Sequence, residues 1–236
     1  MTNWKELEKQ FAARLALGRR PVAVTFLDAE PSDVPKFSGT EPAGCSFWRL
    51  AAAGRTFYTV PADHFNCAVG AYTHSVQLPP DRVQETETML GMMFNLGYVA
   101  PEEVPAIPRL PKEPAAIVFV PLADAPMPPS VVIFALKSSA SMLLNEAAIR
   151  AGANSSLPLL GRPSCMALPA ALAHGTVSTL GCIGNRVYTG LGSDEMYVVV
   201  PGAKLEAVSN ALGIIATANA TLEEFARGRQ TSLSTM

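Results

Sequence analysis

"PVAVTFL" (Pro21 to Leu27) and "PAAIVFV" (Pro114 to Val120) decide how the chain is read as a fold. Each is a proline followed by a short apolar run rich in β-branched residues. That is the pattern of a buried strand that proline introduces and does not interrupt. Three further runs read the same way: "FYTV" at Phe57 to Val60, "VVIFAL" at Val131 to Leu136, and "EMYVVVPG" at Glu195 to Gly202. Helical signals lie between them. Trp4, Leu7, Phe11 and Leu15 recur at helical spacing and are closed by Gly18. "SFWRLAAAG" reads as a short helix ending at Gly54, and "DRVQETETMLGMMFN" as one that starts after Pro79 and Pro80. Ser138 or Ser139 caps a helix running through Arg150 to Gly152. Lys204 to Gly228 reads as a long helical tail with a break expected near Asn219. Strands interleaved with helices predict an α+β, mixed α/β fold.

The chain also reads as two similar halves from an internal duplication. Residues 1–100 form an N-terminal half with Cys45 and Cys67, and 115–236 a C-terminal half with Cys165 and Cys182. The proline-rich "PEEVPAIPRLPKEP", residues 101–114, connects them. Each half opens on a proline and a strand. Each later carries two cysteines, the second in a glycine-bearing turn: "NCAVGAYT" at Asn66 to Thr73, and "GCIGNRVYTG" at Gly181 to Gly190. One compact mixed domain, whose strands share only composition, is the competing reading.

Composition narrows the function. The chain has 236 residues, 49% of them hydrophobic and only 16% charged, with a net charge of −2. A nucleic-acid footprint needs a basic stripe, and none is present. No run approaches the length of a membrane span, and the N-terminus lacks the apolar core and small-residue cleavage site of a signal peptide. These features predict a cytoplasmic protein whose thiols stay free, with no membrane or nucleic-acid partner. Low charge and many alanines and methionines leave room for subunit contacts, hence for a homo-oligomer. There is no GxGxxG after a strand, no P-loop, no GxSxG and no HExxH.

What remains is the set of four cysteines: Cys45, Cys67, Cys165 and Cys182. None forms a CxxC pair, so the spacing signature of zinc ribbons and ferredoxins is missing. Their local context carries the signal instead. Gly44 precedes Cys45, Gly70 follows Cys67, Pro163 and Ser164 precede Cys165, and Gly181 and Gly184 bracket Cys182. Glycine beside a cysteine lets backbone approach a bulky ligand and turns N–H groups toward sulfur. Ordinary buried thiols fit the same residues. Cys45 and Cys165 stand at helix starts, where the dipole favours thiolate. His64 and His74 flank Cys67, so a thiol-dependent enzyme using Cys67 with His64 is a further reading; His174 reads as a helix C-terminal cation. Two roles fit Arg186: bidentate carboxylate binding, or pairing with Asp194. Arg49 suits an anion as well, and Tyr72 and Tyr188 hold like positions as acid/base candidates or core residues.

"CSFWRLAAAGRTFYTVPADHFNCAVGAYTH" (45–74) together with "CIGNRVYTGLGSDEMYVVVPG" (182–202) resembles domain-of-unknown-function family 169, also called ArCR. The resemblance runs from the "RRPVAVTFL" strand to the last helix. It implies three shared cysteines, here Cys45, Cys67 and Cys165, with Cys182 typical of a subgroup, and an anaerobic metabolism. Three thiolates on a [4Fe–4S] cluster leave one iron open as a Lewis acid, as in dehydratases and desulfidases, whereas a fourth closes it for electron transfer or a structural role. The expectation is a cysteine-ligated metalloprotein, with an iron–sulfur cluster in first place and zinc as the alternative. It would act on or sense a small anionic molecule held by Arg49 or Arg186, with Tyr72, Tyr188 or His64 supplying protons. A non-catalytic protein with structural zinc or free thiols is the competing class.

Overall fold

The computed structural model describes residues 2–154, 156 and 159–234. Its centre is one six-stranded, wholly antiparallel sheet of order β2-β3-β1-β4-β6-β5. The strands are β1 (Val22–Leu27), β2 (Phe57–Thr59), β3 (Ala116–Pro121), β4 (Val131–Lys137), β5 (Val177–Thr179) and β6 (Glu195–Pro201). The helices are α1 (Trp4–Leu15), α2 (Ser46–Ala52), α3 (Ala68–Thr73), α4 (Pro80–Asn95), α5 (Ser138–Arg150), α6 (Ala167–His174), α7 (Ile183–Thr189) and α8 (Leu205–Ser234). The fold is α+β, as the interleaved signals predict.

Successive side chains in a strand point to opposite faces, and here both faces are covered. Val22, Val24, Ile117, Phe119, Ile133, Tyr197 and Val199 pack on one side under α2 and α6, with Phe47, Trp48 and Leu168. Ala23, Val118, Val120, Val132, Phe134, Val198 and Val200 pack on the other under α1, α5 and α8, through Phe11, Leu144, Leu205 and Leu212. Double coverage explains why these strands read as unbroken apolar runs without polar alternation, although the sheet is antiparallel.

The topology repeats. β1 pairs with β3 and β3 with β2; likewise β4 pairs with β6 and β6 with β5. The two sets meet where β1 pairs with β4. In position, β4 is thus the counterpart of β1, while "PAAIVFV" forms β3 alongside it. The proline-rich stretch is packed down: the Leu110 N–H donates to the Thr73 carbonyl at 2.8 Å and Leu110 itself is buried. Two local expectations change. No serine side chain caps α5, whose N-cap position is Lys137. α8 runs unbroken through Asn219, whose amide donates to Ile215 O at 3.0 Å and to Glu146 at 3.1 Å.

Gly202 follows β6 and closes the second set against the loop before β4. Its N–H donates to Ser130 O at 2.9 Å, and a Cβ there would stand 1.8 Å from the Pro129 carbonyl oxygen. Backbone cannot yield as a side-chain tip can. Gly202→Ala is expected to cost stability at the upper end of about 1–3 kcal/mol, read as a lower urea midpoint with an unchanged slope.

Candidate metal centre

All four cysteines lie where a short helix begins, on the same face of the sheet. Cys45 is the N-cap of α2, Cys67 of α3 and Cys182 of α7, and Cys165 sits in the 3-10 turn Ser164–Met166 that leads into α6. The topological repeat relates them in pairs. Cys45 and Cys165 each precede the second strand of their set, and Cys67 and Cys182 each follow it. Helix α2 packs on α7, and α3 on the turn that carries Cys165.

The sequence reading expects helix starts at Cys45 and Cys165, and glycine turns at Cys67 and Cys182. The structure makes helices of both turns. The Cys67 sulfur does what a serine or aspartate cap does, accepting the Gly70 N–H at 3.3 Å. The Cys182 N–H donates to Ser164 Oγ at 2.5 Å, tying the two cysteines of the second set together. Cys165 Sγ in turn points at Val69 O, 3.8 Å away in α3. Two glycines make the close approach feasible. A Cβ on Gly70 would meet Cys67 Sγ at 3.0 Å and Gly44 Cα at 3.8 Å. Gly181 has φ +79°, and a Cβ there would crowd Leu191 at 2.9 Å and Asn185 Oδ1 at 3.1 Å.

The four thiols lie within electrostatic reach of one another. Burial first, then the charges of Cys67 and Cys182, push Cys45 up to about 12. Cys165 is raised well above its ordinary value, by burial first and then by Cys67, Cys182 and Cys45. In the metal-free protein these two are neutral thiols. Among the described residues, no three His, Cys, Asp or Glu side chains are grouped round a single-ion position.

His64 and His74 are each 1% exposed, with ring centroids 5.7 Å apart. His64 Nε2 bonds Thr59 Oγ1 at 2.8 Å, while His64 Nδ1 and both nitrogens of His74 have no partner. Gly44 packs on His64, since a Cβ there would meet Nδ1 at 3.6 Å. Burial pushes His64 down to about 3, helped by His74, and His74 down to about 4.

The remaining candidates separate. Arg186 donates to the carbonyls of Gly192 at 2.6 Å, Glu195 at 3.1 Å and Leu180, so it ties the turn after α7 to the helix. It does not pair with Asp194, which faces Lys137 at 3.4 Å. Arg49 is exposed one turn after Cys45, with Glu41 at 3.7 Å. Beside it a small cavity of about 20 Å³, lined by Arg19, Arg20, Trp48 and Tyr197, has room for about one water. Tyr72 donates to Val104 O at 3.1 Å beneath the Arg109 guanidinium, whereas Tyr188 is 41% exposed on α7. His174 ends α6, exposed. Sequence reasoning missed Ser164 and Asn185; only proximity to a cysteine marked them.

Over residues 10–211 the chain matches the family described as "Uncharacterised ArCR", domain-of-unknown-function family 169, and it belongs to that family. It is also similar to the uncharacterised protein MJ0308 of Methanocaldococcus jannaschii, 25% identical over 202 residues that cover 82% of this chain and 87% of that protein. No solved structure matches the chain. No helix among the described residues is long and apolar enough to cross a membrane.

The histidines give a sign-definite prediction for the metal-free protein. Both are neutral when folded and free to protonate when unfolded. Their contribution is full above the ordinary value of 6.5 and is lost as pH falls toward 4 and then 3. Denaturation should steepen below pH 6.5 by about 1.4 kcal/mol per pH unit for each histidine. Replacing either one should flatten the acid limb. Cys45 acts on the alkaline side, its contribution full below 9.0 and lost as pH rises toward about 12.

Proposed function

We propose that this protein holds one iron–sulfur cluster, of the [4Fe–4S] type, on Cys45, Cys67, Cys165 and Cys182, and acts on or senses a small anionic molecule beside it. What supports this reading is that four thiols, each from the start of a different helix, lie within electrostatic reach of Cys45 and Cys165. The donor set fits the group. Thiolates are the ligands of such clusters, and helix-start N–H groups face the negative charge that a thiolate-ligated cluster carries. Gly44 and Gly70 let the starts of α2 and α3 approach closely, since a Cβ on Gly70 would stand 3.8 Å from Gly44 Cα. A tetrahedral zinc with Zn–S bonds of about 2.3 Å draws its sulfurs to about 3.8 Å from one another. A cubane offers a separate iron to each sulfur and so spans a wider set of thiolates than a single zinc does.

When bound, the cluster supplies either an electron route, with all four thiols engaged, or a Lewis-acidic iron if Cys182 is displaced. The chain's own residues do the rest. Arg49, one turn after Cys45 and weakly paired, presents its guanidinium to an anion. Arg186 is spent on three carbonyls and shapes the loop. Tyr188, exposed on α7 with its ring near Gly184, is the tyrosine we take to exchange a proton with a molecule outside. His64 is buried against Thr59 and His74, so it braces the cysteine-bearing segments. A reducing cytoplasm, the compartment we propose, keeps such thiols free of disulfides.

Anaerobic isolation or reconstitution is expected to give a brown protein with broad visible absorbance and about four irons and four sulfides per chain. Cys45→Ser and Cys165→Ser should abolish it. Stoichiometric zinc would move the protein to the structural-site class, and a colourless, metal-free chain with intact folding would overturn the reading.

A further inference from the structure

Asn185 stands three residues after Cys182, on the inward face of α7, and its side chain is 2% exposed. Neither Oδ1 nor Nδ2 has a hydrogen-bond partner. A buried primary amide left unpaired is costly, and a helix interior gains nothing from asparagine that leucine or alanine would not give better. The backbone of Asn185 is ordinary: its carbonyl accepts the Thr189 hydroxyl at 2.7 Å. The side chain is thus buried without a partner between Gly181 and Cys45. Gly181 closes one side, since a Cβ there would meet Asn185 Oδ1 at 3.1 Å. The other side faces Cys45, across the packing of α2 on α7. In the metal-free protein the amide reaches toward this sulfur without closing a full hydrogen bond. The equivalent position of the other set, three residues after Cys67, is Gly70, which has no side chain to offer.

We propose that Asn185 is a positioning residue whose Nδ2–H donates to the sulfur of Cys45 once that cysteine is a ligand, fixing one corner of the centre and raising its reduction potential. The proposal rests on the cluster reading above. A metal-bound thiolate has no proton of its own, so only the N–H end of the amide can bond it. Such N–H···S bonds favour the reduced, more negative cluster over the oxidised one, which moves the potential upward. With Gly70 at the equivalent place, the side-chain donor serves the Cys45 corner, whereas Cys67 takes a backbone N–H from Gly70, which makes the two halves of the centre inequivalent.

The test is a redox titration of anaerobically reconstituted wild type, Asn185→Leu and Asn185→Asp, followed by electron paramagnetic resonance. Leucine removes the donor, and aspartate also adds negative charge. Both should keep iron content and absorbance, with potentials ordered wild type above Leu above Asp. A potential in Asn185→Leu equal to wild type, at equal iron content, overturns the proposal. Should the leucine variant fail to fold, Asn185→Ser, which shortens the side chain without apolar bulk, is titrated in its place with the same expectation. A second readout does not need the cluster: alkylation of Cys45 in the metal-free protein, normalised to Cys165, followed by mass spectrometry. Slower Cys45 labelling in Asn185→Leu supports the contact, and an unchanged rate overturns it. If wild type takes up no cluster while that labelling still differs, the cluster reading fails and the Asn185–Cys45 contact stands.

Discussion

The pairing of β1 with β4 is the constraint on which the rest of the structure depends. It joins two sets of three strands into one sheet and, by doing so, puts both pairs of cysteine-bearing helices on the same face. Neither set could assemble four thiols alone. Cys45 and Cys67 come from the first, Cys165 and Cys182 from the second, and the helices interlock crosswise, α2 with α7 and α3 with the turn before α6. The opposite face, under α1, α5 and α8, is aliphatic and aromatic with no thiol among its buried residues. One side of the sheet is a plain apolar core, and the other carries the cysteines.

The carrying side is built against its own stability. Two thiols are held neutral in apolar packing, two imidazoles are buried uncharged, and an asparagine amide is left without a partner. Each costs free energy in the metal-free chain. Folds retain such groups where function demands them, because an apolar replacement of like volume would be more stable. Other buried groups without a partner stand elsewhere, among them Arg14 on α1 and Thr176 before β5. A ligand bound by the sulfurs would offset the cost of those beside them.

Much of the scaffold was legible in the chain. Five of six strands, and the helices at residues 4–15, 46–52, 80–95 and 138–150, announce themselves through apolar period and proline or glycine punctuation. β5 did not, because a three-residue strand reading Val-Ser-Thr carries too little pattern. α3 and α7 were read as turns because Gly70, Gly184 and Asn185 are weak helix formers. α3 is helped by the Cys67 sulfur capping it, and α7, which has no side-chain cap, by packing on α2. The likeness of "NCAVGAYT" to "GCIGNRVYTG" did point to equivalent positions in the topology. Arg186 misled, since carbonyls at a loop satisfy a guanidinium as well as a carboxylate does, and sequence separation cannot tell them apart. Asn185 was invisible, because an asparagine inside a short helix is remarkable only once its burial is known.

The central claim is that the four sulfurs serve a single metal centre. Anomalous diffraction at the iron edge, on crystals grown anaerobically from the reconstituted full chain, tests it most directly. One compact iron peak bounded by Cys45, Cys67, Cys165 and Cys182 is the result this account predicts. Iron placed elsewhere, or a peak only at the zinc edge, would contradict it.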